Sequence, residues 1–164
     1  MRLIRRYQSS DMQACLHIFD GNTPRFFSLV EREDFKNFLV NDAVVWDYLV
    51  IEDNGSIVAC GGHNVDKDAK SASFCWGMVA NNLHSTGIGK MLTIARLETA
   101  SALGSVTRVR LDTSQHTQGF YARFGFVPER IIPDGYGPGL DRWEMTLSLE
   151  ESDDLLFKKR QRVD

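Results

Sequence analysis

The segment His84-Ser85-Thr86-Gly87-Ile88-Gly89 places two glycines where an apolar run ending near Val79 gives way to a strongly helical one. Bare backbone at a helix start suits an anion. The first N–H groups of a helix have no intrahelical partner, its dipole favours negative charge, and a missing Cβ lets a phosphate approach. Two common phosphate loops fail in detail. A dinucleotide turn needs a third glycine where this chain has Leu92. A Walker loop needs a glycine in place of His84 and a Ser or Thr for magnesium in place of Met91. Cys15, Cys60 and Cys75 lack metal-ligand spacing, so no metal is expected.

The elements around this turn follow from periodicity. Period-two apolar runs over residues 1–7, 44–51, 56–63 and 71–79 predict strands, and Asn54-Gly55 predicts a hairpin turn between the second and third. Strands two to four then form an antiparallel meander. Ser10 and Asp11 cap a helix reaching about Phe19, while Phe35, Phe38 and Leu39 mark a second helix over 31–40. The glycine turn opens a helix over 88–103 that stops at Gly104. A strand over 106–113, a short helix over 118–124 and strands near 126–132 and 142–147 complete the chain.

Composition excludes several classes. The 164 residues suit one domain, assigned to 1–150, followed by a charged tail, 151–164. A net charge of -3 lacks the basic footprint of a nucleic-acid binder, and no apolar run approaches the length of a membrane span. An odd number of cysteines, two of them in apolar runs, fits a reduced cytoplasmic chain. Dimerisation is left open.

Two motifs in order resemble the GNAT (GCN-five-related) N-acetyltransferases. His84 to Gly89 is similar to the family's Arg/Gln-x-x-Gly-x-Gly/Ala turn, departing at His84, and "GFYARFGFVPE" (Gly119 to Glu129) is similar to its Tyr-containing helix ending in Gly-Phe. The predicted element order is also the family's. The resemblance implies an α/β (α+β) fold: a mixed, mostly antiparallel sheet, splayed between its fourth and fifth strands and flanked by about four helices. It implies an acetyl-CoA-dependent transfer of an acetyl group to a primary amine, small molecule or protein, by direct attack in a ternary complex. It places the coenzyme on Met78, Val79 and Ala80 for pantetheine, on His84, Ser85, Thr86, Gly87, Ile88, Gly89 and Lys90 for pyrophosphate, and on Ser114. It makes Tyr121 the acid for the departing thiolate. His84 can donate a hydrogen bond to phosphate but lacks the forked charge of Arg.

The general base is less determined. Asp112, ending the fifth strand, is the nearest carboxylate, although Arg108 and Arg110 share its strand face and could pair with it; Glu52 and His63 are alternatives, as is water. The resemblance sets two loops at the acceptor side. One carries Phe26 and Phe27, the other Tyr136 among three glycines, with Glu31, Glu33, Asp134 and Asp141 available to a cation. The competing readings are a non-catalytic acyl-CoA-binding regulatory domain and a nucleotide-dependent oxidoreductase, which Leu92 and the preceding antiparallel strands disfavour.

Overall fold

A computed structural model describes residues 1–149; the charged tail assigned to 151–164 lies outside them. Seven strands form one sheet: β1 (Arg2–Arg6), β2 (Asp47–Asp53), β3 (Ser56–Asp66), β4 (Ser71–Val79), β5 (Arg108–Thr113), β6 (Val127–Gly137) and β7 (Leu140–Ser148). Their order is β1-β2-β3-β4-β5-β7-β6, antiparallel everywhere except between β4 and β5, which run parallel. The helices are α1 (Met12–Asn22), α2 (Arg32–Asn41), α3 (Ile88–Ser101) and α4 (Gln118–Ala122). This is the expected mixed α/β architecture.

Alternation in β2 assigns the two faces of the sheet. Tyr48 and Val50 join Phe19, Phe35 and Phe38 of α1 and α2 in one buried cluster, whereas Leu49 and Ile51 join Ile88 and Leu92 of α3 in another. A third cluster, around Leu97, Val109, Leu111, Phe126 and Met145, continues the α3 side toward α4. Arg5 bridges Asp11 and Glu52, which fastens the start of α1 to the β1 and β2 edge.

Three boundaries differ from expectation. The second strand begins at Asp47, because Val45 and Trp46 donate to the Asp42 carbonyl in a turn leaving α2, so Val44 and Val45 are exposed turn residues. The first helix starts after a short 3-10 turn, Ser9–Asp11, in which the Asp11 carboxylate accepts from the Gln8 N–H; Ser10 makes no cap bond. The last hairpin has no long loop. β6 continues to Gly137 with an irregular register, and only Pro138 and Gly139 turn the chain.

Candidate active site

The parallel pair is where the sheet opens. β4 and β5 pair only through Ser71–Ser73 and Arg108–Arg110, and beyond that point they diverge. On the other edge of β4, the register with β3 slips between Cys60 and Gly62, so that Trp76 and Gly77 oppose Gly61 alone. This bulge turns the strand away from β5. Trp76 adopts φ +44°, a left-handed conformation that strains a large side chain. Two contacts hold it: the Tyr48 hydroxyl donates to the Trp76 carbonyl at 2.9 Å, and the indole packs on Phe19, Phe27, Phe35 and Phe38.

Between the diverging strands lies a cavity of about 380 Å³. It brings together Phe26, Phe27, Asp112, Ser114, Tyr121 and Tyr136, residues far apart in the sequence that were singled out there. Glu31, Trp76, Gly77, Arg96 and Arg110 also line it. Tyr121 enters from α4, its ring held edge-on against Phe120 and Phe126 at 5.0 and 5.8 Å between centroids. Ser114 is buried; its Oγ lies 3.2 Å from Thr117 Oγ1 and accepts from the His116 N–H, fixing the chain as it leaves β5.

Asp112 stands on the outward face of β5 but loses enough hydration to push its carboxyl above the usual range; Arg142 opposes that rise and Glu144 adds to it. Among the described residues Arg108 and Arg110, which could have paired with it, make no ion pair with it. The nearby charges come from β7, where Glu144 is its cross-strand partner and is bonded to Arg142. Burial also raises the Glu31 carboxyl, against a hydrogen bond from the Ser28 N–H at 2.7 Å that favours its charged form. Tyr136 is shifted upward by burial and by Asp112 and Glu31. Three oxygen acids thus share one side of the cavity.

The alternative bases are not there. Glu52 is paired with Arg5 near the far edge of the sheet. His63 is buried without a hydrogen bond, 3.7 Å from Asp47, and burial lowers its pKa. Neither lines the cavity. Of the acidic residues expected to meet a cation, Glu33 lies beside Lys36, while Asp134 and Asp141 accept backbone hydrogen bonds inside the last hairpin. That hairpin is tied back to Gln115, which accepts from the Asp141 N–H and donates to the Gly139 carbonyl.

The glycine turn sits at the open end of β4. Gly87 has φ +87° and a Cβ there would meet nothing within 4 Å, whereas a Cβ on Gly89 would lie in ordinary contact with Phe120 at 3.4 Å. Gly87 therefore serves the backbone conformation. Met91 makes the first intrahelical bond, to Gly87, leaving the N–H groups of Ile88, Gly89 and Lys90 without intrahelical partners. Ser85 has φ +64° and Thr86 Oγ1 donates to the Leu83 carbonyl. His84 turns inward: its Nε2 lies 3.1 Å from the Val79 carbonyl, which Asn22 also reaches, and its ring packs edge-on against Phe26. Met78 is buried; Val79 and Ala80 are half-buried at the strand end.

Sequence reasoning gave Glu31 no catalytic part and did not notice Arg96. For Glu31 the signal is Ser28-Leu-Val-Glu31, a capping box before a helix, which fixes the carboxylate against its own turn. For Arg96 it is a charge four residues after Leu92 and eight after Ile88, on the buried stripe of α3.

A parallel pair opened by a bulge, with a bare helix start at its mouth and ionisable groups inside, defines an acyltransferase-type cleft. Residues 44–128 match the acetyltransferase (GNAT) domain, and the chain belongs to that family of acetyltransferases. Solved structures share the fold. The ribosomal-protein-S18-alanine N-acetyltransferase of Escherichia coli aligns with TM-score 0.75 at 19% identity, over 91% of this chain and 94% of that one. The ribosomal-protein-alanine N-acetyltransferase of Brucella melitensis gives 0.71 at 23%, over 90% and 99%. A Salmonella typhimurium protein solved with its cofactor acetyl-CoA gives 0.71 at 16%, over 91% and 94%. No curated protein matches the sequence. Among the described residues no helix is long and apolar enough to cross a membrane, and no group of three metal-ligating side chains converges.

Proposed function

We propose that the chain transfers an acetyl group from acetyl-CoA to a primary amine by direct attack. The observation that carries this reading is the single cavity that joins Tyr121 to Asp112 and Glu31 in the gap between β4 and β5. The coenzyme fits the residues present, since Gly87 borders open space and the start of α3 offers unpaired N–H groups. Ser85 to Lys90 would hold the pyrophosphate and the edge of Met78 to Ala80 the pantetheine; bound there, acetyl-CoA supplies an activated acyl group.

The chain's own residues do the rest. An amine is protonated near neutral pH and must lose its proton to attack. Asp112, with a raised pKa, is matched to accept that proton, and Glu31 increases the negative field that draws the cation in. Tyr121 gives its phenolic proton to the departing sulfur. Phe26, Phe27 and Tyr136 form the apolar wall for the acceptor. We take Asp112 as the base, ahead of water alone, because it lines the cavity.

The test combines binding and turnover. Melting curves with acetyl-CoA, CoA and NAD should show stabilisation by the first two only. Thiol release with a panel of primary amines should then appear and depend on the amine. Stabilisation by NAD, or coenzyme binding without transfer to any amine, defeats the proposal.

A further inference from the structure

Arg96 is only 1% exposed, yet among the described residues no carboxylate pairs with it. Its Nε and Nη2 donate to the Gly62 carbonyl at 3.2 and 3.0 Å, Nη2 also reaches the Cys75 carbonyl at 3.3 Å, and the guanidinium lies 3.9 Å over the Phe74 ring. Nη1 has no partner. A buried cation with an unmatched donor carries a desolvation cost that an anionic ligand relieves.

Two glycines give it passage. A Cβ on Gly77 would overlap Nη1, and one on Gly61 would lie 3.3 Å from the guanidinium carbon. The side chain rises from the buried stripe of α3 beside the β4 bulge and lines the same cavity as Asp112 and Tyr121. The charges on the cavity wall come from separate elements: Glu31 from the segment before α2, Asp112 and Arg110 from β5, and Arg96, the buried one, from α3.

We propose that Arg96 Nη1 receives a carboxylate of the molecule that fills the cavity. The amine of such a substrate faces Asp112 and Glu31, and its carboxylate, or that of the acyl group it accepts, faces the Arg96 guanidinium. The carboxylate comes either from the acceptor, as in a free amino acid, or from an acyl group ending in a carboxyl, as in succinyl-CoA. The proposal rests on the acetyltransferase reading for its choice of ligands. Arg suits the role because its planar fork keeps two arms on backbone carbonyls while a third donor remains for the ligand.

The experiment has two arms. In the acceptor arm, kcat/KM with acetyl-CoA is compared between free amino acids and their amides. In the donor arm, acetyl-CoA is compared with succinyl-CoA on one amine. We expect the carboxylate-bearing member of one arm to be favoured by roughly tenfold or more. In Arg96→Met the ratio in that arm should fall to near one, and in Arg96→Lys it should be partly kept. Wild-type melting curves with the same ligands give a reading independent of the variants' folding. Coenzyme stabilisation with no carboxylate preference in either arm overturns the proposal and leaves Arg96 a brace between β3 and β4. Absence of stabilisation by any CoA ester defeats the acetyltransferase reading instead, and the carboxylate preference is then read from melting shifts with amino acids against their amides.

Discussion

The two banks of the cleft are built differently. On the β3–β4 bank the important groups are backbone: the bulge at Trp76 and Gly77, the edge of Val79, and the bare start of α3 after Gly87. On the β5–β7 bank they are side chains: Asp112, whose carboxyl burial pushes up, with its charged neighbours Arg142 and Glu144. The first bank is suited to hold a ligand of fixed shape, and the second to move protons. Perturbing the first should therefore affect binding, and perturbing the second should affect rate.

The largest effect belongs to the first bank. Gly89→Glu puts a long anionic chain beside Phe120, at the mouth that would receive the pyrophosphate. Like-charge repulsion and bulk should weaken acetyl-CoA binding by a hundredfold or more, of the order of 3 kcal/mol. Calorimetry on a variant shown by circular dichroism to be folded checks it; wild-type affinity would remove the turn from the coenzyme site.

Asp112→Asn tests the second bank and separates rate from stability. Burial raises the folded-state pKa of Asp112, so the fold favours its neutral form. Its contribution to stability is present at low pH and is lost as pH rises through the raised value. The Asn variant should thus melt slightly higher than wild type at pH 7, with the difference vanishing below the ordinary carboxylate range. Its kcat should fall on the order of a hundredfold, and the acid limb of the pH–rate profile, where the wild-type base becomes protonated, should disappear. A slow variant that also melts lower would make Asp112 structural. An unchanged rate would pass the role to Glu31, for which Glu31→Gln is the matching variant.

How much of this was legible depends on what each bank is made of. The glycine turn could be read because positive φ and close approach demand a residue type at fixed spacing, and Tyr121 because it sits in a short motif. The meander could be read from its apolar runs and the Asn54-Gly55 turn, although burial along Ser71–Val79 loses its alternation at the Trp76–Gly77 bulge. The ionisable bank was harder. Asp112 could be named, but its cross-strand partner could not, because only the register of β5 with β7 sets it opposite Glu144. The last hairpin reads as a loop because Pro133, Gly135 and Gly137 are turn residues, yet the strand passes through an irregular stretch there to pair Gly137 with Leu140, and Gln115 holds the turn at Gly139 and Asp141. Arg96 needs the third dimension: only the packing of α3 against Gly61 and Gly77 shows where its charge ends.

Tyr121→Phe should produce a smaller loss than Asp112→Asn. The ring keeps its contacts with Phe120 and Phe126, so packing and coenzyme affinity should hold while kcat falls roughly ten- to a hundredfold. The deficit should shrink with acyl donors whose leaving thiols are more acidic, because these need less proton transfer. A deficit that ignores the leaving group would assign the ring to positioning.

The smallest effect should come from behind the first bank. Tyr48→Phe removes the single bond that the hydroxyl donates to the Trp76 carbonyl and leaves the aromatic cluster in place. The loss should be about 1 kcal/mol of stability, seen as a lower denaturant midpoint. Trp76 is held in a left-handed conformation, and releasing its carbonyl allows the bulge to relax toward regular pairing with β3. That would narrow the gap to β5 and shift the Met78–Ala80 edge proposed for the pantetheine. Acetyl-CoA should therefore bind a few-fold more weakly, with kcat at saturation little changed. Equal losses in affinity and in kcat would mean that the bulge also sets the geometry of the second bank, and the division of labour between the two sides of the cleft would not hold.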